Sequence, residues 1–347
     1  MLKTLYNLFT RLSDVSPEYH GSLCLLERNA VGGCSACQDA CPHEAIRLTT
    51  RAEVMPDACT GCGLCVQACP TGALAYPPTD PLALLNAQDH GQAGDDEQPE
   101  TFAPARLACS RAGVEWPRVP CLARVQVSTV LASAAWRQNL ALAHASCSTC
   151  DLGGPGVPRA LQGVLDEAEA YKRSAGLAAP RPGMVVAEPG GEPATSLPEP
   201  ETVPEGRYGR REAMRALGDT VKSSAVKLVP EPLARLAEPQ GEDRPEEWHW
   251  RRRALAPRAA GTVYWPAPRV NDDCIDCPVC ENVCPTRAIT RTAEEDGTFT
   301  LTLVPAECTG CNACVLSCPP QAMRLEDDLP AGALGAGLVL RRSGAGN

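Results

Sequence analysis

The stretch CTGCGLCVQACPTGAL, residues 59–74, decides how the rest of the chain is interpreted. It contains four cysteines in the pattern CxxCxxCxxxCP, and nearly the same string returns as CTGCNACVLSCPPQAM at residues 308–323. Three thiolates at this spacing can surround one 4Fe-4S cluster, while the fourth, followed by proline, ligates a second cluster. The repeated string therefore predicts paired iron-sulfur clusters near both ends of the chain.

The C-terminal cysteines form two complete copies of the pattern, at 274–285 and 308–319. Because the fourth cysteine of each copy serves the other cluster, the predicted ligand sets cross over. The first set is Cys274, Cys277, Cys280 and Cys318, and the second set is Cys308, Cys311, Cys314 and Cys284. Zinc is the alternative, but zinc does not require four cysteines at these offsets or a proline after the last one.

These residues resemble the bacterial two-cluster ferredoxins over positions 270–326. The resemblance implies a small pseudo-symmetric α+β unit that holds two clusters between short hairpins and helices. Between the two halves, Thr and apolar residues alternate after an Asp-Gly pair, which predicts an additional long β-hairpin. Pro278 lacks an amide hydrogen that could bond to sulfur, so we expect its cluster to be harder to reduce than its neighbour.

The N-terminal cysteines depart from the pattern at one position, because Val31 stands where the opening cysteine should be. The loop LLERNAVGG contains Asn and two adjacent Gly, so it can fold back and return Cys24 to the vacant position. The predicted sets are Cys24, Cys34, Cys37 and Cys69 for one 4Fe-4S cluster and Cys59, Cys62, Cys65 and Cys41 for the other. A 3Fe-4S cluster with Cys24 free is the alternative.

The middle of the chain has a different cysteine pattern. Three short apolar runs each end at cysteine, and predicted helices at 123–136 and 158–173 with a fourth strand at GMVVAEP indicate a small, mainly parallel sheet. Ligands gather at the carboxyl ends of such strands. The cysteines at these ends are Cys109, Cys121, Cys147 and Cys150. We expect them to bind a fifth iron-sulfur cluster; zinc, or a redox-active pair at 147 and 150, are the alternatives, and His144 is interpreted as part of a strand.

This middle segment is similar to the iron-sulfur delta subunit of the hydrogenases that supply heterodisulfide reductase. The similarity rests on the strand-end cysteines, on VPCLARV and on the CxxC after the third strand. It implies a small α/β domain with a 2Fe-2S cluster. That family often has paired cysteines after the first strand, whereas here Cys109 is followed by Ser110.

The predicted fold class is α+β, with two ferredoxin-like dicluster domains flanking a small α/β domain. The predicted domains are 20–76, 103–190 and 266–328, with a linker that contains helices at 191–265. The Pro-, Gly- and charge-rich connectors at 77–102 and 189–206 are expected to be exposed, and the tail after Pro330 to be mobile. Helices are predicted at 209–227 and 246–256, either packed on the iron-sulfur domains or offered to a partner, with the arginines at 251–253 on a solvated face.

Composition narrows the function further. The chain has 347 residues, 20 Cys, 33 Pro and 29 Gly, and 4% aromatic residues, which favours metal ligation over one large packed core or a disulfide scaffold. We expect no signal peptide, no membrane span and a cytoplasmic location. The net charge of −10 disfavours nucleic acid as a partner.

The expected function is electron transfer, because a cluster with four thiolate ligands has no open position for a substrate. We expect a relay that serves a cytoplasmic oxidoreductase such as a hydrogenase, a formate dehydrogenase or a heterodisulfide reductase-like enzyme. Residues 266–330 carry 11 acidic and 4 basic side chains, which could steer a basic redox partner. Catalysis at the middle cysteines and redox sensing are the alternatives. No pairing of a nucleophile with a base is evident.

Overall fold

The computed structural model of the chain describes residues 16–76, 81–92, 101–190, 246–256, 260–294, 298–334 and 336–343. The predicted helix at 209–227 lies outside the described residues. Within the described ranges, no helix has the length and apolar character needed to cross a bilayer. Helices and strands are mixed, with a parallel sheet in the middle of the chain and small antiparallel pairings on either side.

The N-terminal region, residues 16–76, is made of two short antiparallel strand pairs and two short helices. β1 (Glu18–Tyr19) pairs with β4 (Leu74–Ala75), and β2 (Ile46–Leu48) pairs with β3 (Ala52–Val54). Each helix begins two residues after one cysteine and contains another, so each helix holds a predicted ligand. They are α1 (Ala36–Asp39) and α2 (Leu64–Ala68).

Residues 81–92 lie in a connector that was expected to be exposed, but one face of its helix is buried. α3 (Pro81–Asn86) buries Leu82 and Leu85, and the Leu85 carbonyl accepts a hydrogen bond of 2.8 Å from the Gln138 side chain. The expectation is wrong here because the short run PLALLN supplies enough apolar surface to join the core of the middle domain. Residues 77–80 and 93–100 lie outside the described part of the chain.

The middle domain contains a four-stranded sheet in the order β6-β5-β7-β8, with every neighbouring pair parallel. The inner strands are nearly continuous apolar runs, as expected for a parallel sheet covered by helices. This confirms the predicted parallel sheet. Its elements are β5 (Ala103–Cys109), β6 (Arg118–Val119), α4 (Val127–Ala135), β7 (Gln138–His144), α5 (Val157–Ser174) and β8 (Gly183–Val186).

The C-terminal region is also built from antiparallel strands and short helices. β9 (Thr262–Val270) pairs with β12 (Met323–Pro330). β10 (Ile289–Ala293) pairs antiparallel with β11 (Phe299–Leu303), which confirms the predicted long hairpin. Two helices follow the cysteine loops, α7 (Val279–Val283) and α8 (Ala313–Leu316).

Residues 336–343 lie against this hairpin, so the expectation of a mobile tail is wrong for 331–334 and 336–343. β13 (Leu338–Arg342) adds a third strand beside β11. Leu338 and Leu340 pack against the main hydrophobic core, and the Arg341 Nε atom donates a hydrogen bond of 2.6 Å to the carboxylate of Asp276. The apolar residues of LVLRR therefore find a partner that is distant in sequence.

Helix α6 (Glu246–Leu255) joins the middle domain to the C-terminal region, and it confirms the helix predicted at 246–256. Trp248 packs edge to face against Trp265 of β9, with 5.7 Å between ring centroids. Arg251 is only 7% exposed and pairs with Glu247 and with Glu167 of α5. The interpretation of 251–253 as a solvated face is therefore wrong for Arg251.

We predict that Arg251→Ala lowers the melting temperature of the cluster-loaded protein by about 5 °C or more, because the largely buried Glu247 carboxylate loses its cationic partner and keeps only its hydrogen bonds from Ser128. Circular dichroism at a fixed heating rate measures the change. Arg181→Ala is the matched control, because it breaks the Arg181–Asp166 pair, whose side chains are 41% and 61% exposed. Exposed pairs contribute little, so the control should shift the melting temperature much less. Equal shifts would contradict the role given to the buried pair.

Candidate iron-sulfur sites

The C-terminal cysteines gather as two neighbouring groups of thiols. The pKa of Cys314 is raised by burial and then by the thiols of Cys308, Cys311 and Cys284, which places these four side chains together. The pKa of Cys280 is raised to about 11, first by burial and then by the thiols of Cys274 and Cys277. Three members of the first predicted set and all four of the second are therefore adjacent.

Cys318 completes the first predicted set, and its surroundings repeat those of Cys41 in the N-terminal region. The amide of Ala322 donates to the Cys318 sulfur at 3.3 Å, and the amide of Ala45 donates to the Cys41 sulfur at 3.3 Å. In both cases the donor lies four residues after the cysteine and beyond the proline. Each of the two is the fourth cysteine of its motif, Cys41 in the first half of its module and Cys318 in the second half.

The thiols of the first N-terminal set also lie together, including that of Cys24, whose place in the set was in question. The pKa of Cys37 is raised to about 11 by burial and then by the thiols of Cys69, Cys34 and Cys24. Gly32 and Gly33, with φ of 83° and 62°, make the left-handed turn that lets the loop fold back. Cys24 therefore lies with the other members of its predicted set, while Val31 is 59% exposed.

The second N-terminal group surrounds a cavity. Its lining includes all four predicted ligands, Cys41, Cys59, Cys62 and Cys65. Burial raises the pKa of Cys65, and the thiols of Cys62, Cys59, Cys41 and Cys37 raise it further. Since Cys37 belongs to the other predicted set, the two N-terminal sites are immediate neighbours.

The middle cysteines converge as the sheet predicts. Cys109, Cys121, Cys147 and Cys150 line one cavity at the carboxyl ends of the strands. The pKa of Cys121 is raised to about 12, mainly by burial and further by the nearby thiols of Cys62, Cys109 and Cys150. His144, the last residue of β7, also lines the cavity, with its Nδ1 atom 4.0 Å from the Cys147 sulfur.

One hydrogen-bond pattern is shared by all three regions. The amide of the second residue after the cysteine donates to the sulfur in the pairs Cys34 with Ala36, Cys62 with Leu64, Cys121 with Ala123, Cys274 with Asp276, Cys308 with Gly310 and Cys311 with Ala313. These bonds act against the effect of burial, because each one lowers the pKa of its thiol and stabilises the thiolate. Cys121 therefore sits in the same local geometry as the cysteines of the CxxC loops.

The same pattern bears on Pro278. In the equivalent loops, the amides that reach sulfur belong to Leu64 and Ala313, which are two residues after their cysteines. Pro278 is only one residue after Cys277, so it does not replace either of these donors. At Cys37 and Cys280, however, the amide one residue after the cysteine does donate to sulfur, so the effect of Pro278 on the potential of its cluster stays a prediction.

The thiols are suitable ligands for iron-sulfur clusters, and several of them line each of the two cavities described above. Among the described residues, no three Cys, His, Asp or Glu side chains close in on a point that would suit a single metal ion. Two of the thiol groups, the second N-terminal group and the middle group, each surround a cavity. Sequence reasoning did not identify Arg111, Tyr76 or Arg124, which line or border these cavities and belong to no motif.

Comparison with known proteins agrees at both ends of the chain. Residues 32–73 and 273–322 match the 4Fe-4S dicluster domain family. Both ends are thus similar to dicluster ferredoxin domains. The matches support an iron-sulfur, electron-transfer character for the chain. Cys24 lies outside the matched residues, and the matches leave the middle domain uncovered.

No curated protein and no solved structure matches the chain. The resemblance of the middle segment to the hydrogenase delta subunit accordingly has no support from known proteins. The argument for a site in that segment rests on its own geometry, namely four thiols around one cavity at the end of a parallel sheet.

We predict that Cys24→Ser changes the first N-terminal cluster, because the serine oxygen is a poorer ligand for iron than a thiolate. Iron content should fall, or the oxidised protein should give the EPR signal of a 3Fe-4S cluster. Ser35→Ala, beside Cys34, is the control and should leave iron and EPR spectra unchanged. An unaltered cluster in the Cys24→Ser protein would remove Cys24 from the ligand set.

Proposed function

We propose that this chain is an electron-transfer relay subunit that carries single electrons between a donor and a cytoplasmic oxidoreductase, such as a hydrogenase, a formate dehydrogenase or a heterodisulfide reductase-like enzyme. It would hold four 4Fe-4S clusters in the two dicluster modules and a fifth iron-sulfur cluster in the middle domain. A cluster of this kind, when bound, takes up and releases one electron. The observation that carries the proposal is the direct contact between the middle site and the N-terminal module.

That contact is formed by cysteines from two different sites. Cys62 and Cys121 belong to one buried hydrophobic group, which also includes Leu64, Ala123 and Val157. A Cβ atom added to Gly153 would lie 3.1 Å from the Cys121 sulfur and 3.5 Å from the Cys62 Cβ atom. The Gly153 backbone therefore lies beside ligands of both predicted sites.

The other side of the N-terminal module touches the C-terminal module. An Arg28 guanidinium nitrogen donates to the Pro285 carbonyl at 3.2 Å, and the Val31 amide donates to the Ser317 hydroxyl at 3.0 Å. Pro285 and Ser317 each adjoin a predicted ligand cysteine, Cys284 or Cys318. These contacts support a path in which the N-terminal module lies between the middle site and the C-terminal module.

The order of the sites in space thus differs from the order of the domains in the sequence. The N-terminal module comes first along the chain, yet its two sites face opposite partners. The site of Cys41, Cys59, Cys62 and Cys65 faces the middle cavity, and the loop between Cys24 and Cys34 faces the C-terminal module. A relay with five consecutive sites is consistent with this arrangement.

Acidic residues near the first C-terminal site support docking of a basic redox partner. Asp272 and Asp273 are exposed beside Cys274, and Ile275 is 63% exposed between Cys274 and Asp276. An exposed apolar residue surrounded by carboxylates suits a transient complex, because the charges steer the encounter and the apolar contact adds affinity.

Catalysis by the middle cysteines is less well supported. A nucleophilic cysteine needs a depressed pKa and access to its substrate. Burial raises the pKa of Cys121 to about 12 and also raises the pKa of Cys147, where the thiols of Cys109 and Cys150 add to the effect. Such thiols suit metal ligation, in which the metal itself favours loss of the proton.

We predict that Cys121→Ser removes the iron of the middle site and leaves about 16 iron atoms per chain in the two dicluster modules. Iron and acid-labile sulfide analysis of the anaerobically purified full chain measures this. Ser148→Ala, between Cys147 and Cys150, is the control and should retain all iron. The fifth cluster would be contradicted if the unaltered protein contains zinc and the Cys121→Ser protein has the same acid-labile sulfide content as the unaltered protein.

We also predict that Gly153→Ala weakens the magnetic interaction between the middle cluster and its N-terminal neighbour in the reduced protein. The new methyl group would meet a Val157 methyl carbon at 2.5 Å and the Cys121 sulfur at 3.1 Å, so the packing between the two sites must rearrange. EPR line shapes measure the interaction. Gly156→Ala is the matched control, because a Cβ atom there meets nothing within 4 Å. Identical spectra for all three proteins would contradict the path through Gly153.

A further inference from the structure

A buried arginine lies at the contact between the middle domain and the N-terminal module. Arg124 ends the turn Leu122–Arg124, which directly follows Cys121. It is only 5% exposed, and arginine is seldom buried to this degree unless its charge is paired. Arg124 lies three residues after Cys121, a predicted ligand of the middle site, and it contacts the cysteine loop of the N-terminal module.

The Arg124 side chain reaches into the cysteine loop of the N-terminal module. Its Nε and Nη2 atoms donate to the Gly61 carbonyl at 3.1 Å and 2.9 Å. Gly61 lies between Cys59 and Cys62 and lines the same cavity as both. The guanidinium therefore lies against the backbone that shapes this predicted site.

Two further contacts fix the guanidinium in this place. It lies 3.8 Å from the centroid of the Tyr76 ring, and Tyr76 lines the same cavity. A Cβ atom added to Gly63 would come within 2.9 Å of the Arg124 Cγ atom, so the arginine stem passes close to the loop backbone. Gly63 has a φ of 98°, a conformation that suits glycine.

The equivalent loop of the C-terminal module has a different neighbour. Gly310 occupies the position that Gly61 has in the sequence CTGC, and a Cβ atom there would meet the Pro266 ring at 2.9 Å. One loop thus packs against a cation and the other against an apolar ring. The two modules are alike in their cysteines and unlike in the charge beside them.

Resting on the relay proposed above, we propose that Arg124 is a positioning residue that raises the reduction potential of the cluster held by Cys41, Cys59, Cys62 and Cys65. Reduction adds one negative charge to a cluster that already has four thiolate ligands. A buried cation stabilises that charge more strongly than an exposed one, because little water screens the interaction. The site next to the middle cavity would therefore hold an electron more readily than its equivalent in the C-terminal module.

The test is an EPR-monitored redox titration of the cluster-loaded full chain with Arg124→Gln and Arg124→Lys. The Gln side chain can still donate to the Gly61 carbonyl but has no charge. We expect Arg124→Gln to make reduction of this cluster at least tenfold less favourable, a shift of about 59 mV to lower potential for a one-electron couple. Arg124→Lys keeps the charge and should stay near the original potential. The C-terminal clusters serve as internal references and should not shift in either protein.

Arg159→Gln is the matched control, because it removes the same charge from an exposed position on α5, near the same contact. It should leave all potentials unchanged. An unchanged potential in Arg124→Gln with full iron content would overturn the inference, as would equal shifts in the Gln and Lys proteins. If the Gln protein loses this cluster, retention of the cluster at near-original potential in the Lys protein supports the role of charge, and its loss there overturns it.

Iron analysis of the unaltered chain separates this inference from the relay itself. Absence of a cluster at the second N-terminal site would defeat the relay. A cluster that is present, but indifferent to the charge at position 124, would defeat only the role of Arg124.

Discussion

The packing of thiols from distant segments around shared cavities is the constraint on which the rest of the structure depends. Burial raises the pKa of several of these thiols, so without metal they would stay protonated and contribute little to folding beyond ordinary packing. With metal, each cage links segments that are far apart in sequence, as Cys24 and Cys69 are. The free energy of cluster binding then becomes free energy of folding. This matters most in the N-terminal module, whose separate apolar core is small.

The middle domain is held together differently. Its parallel sheet and the helices α4 and α5 share an extensive hydrophobic core, and residues such as Leu107, Leu131 and Leu142 have no exposure to water. The sheet can therefore position its strand-end cysteines before any metal binds. The same core extends to Trp265 and to β13, so the C-terminal module is anchored on a preformed domain.

The sequence allowed the cysteine sites to be predicted because the chemistry is local. A CxxCxxCxxxCP string specifies both the loop and the helix that follows it, and the apolar runs before Cys109 and Cys147 specify strands. Contacts between distant segments could not be predicted in this way. The pairing of β13 with β11, the burial of Arg251 between two helices and the position of Arg124 under a cysteine loop all depend on tertiary packing, for which a single sequence gives no periodic signal.

The third strand of the C-terminal hairpin has a consequence for the loop between Cys274 and Cys277. Asp276 has a positive φ in the loop between Cys274 and Cys277, where the equivalent loops have glycine, and its carboxylate is bonded to Arg341 of β13. β13 is an edge strand, and edge strands open locally before the centre of a sheet does. When β13 opens, the loop between Cys274 and Cys277 loses its hydrogen bond from Arg341. Asp276 must then keep its positive φ without that support, so the shape of this loop depends on a residue 65 positions further along the chain.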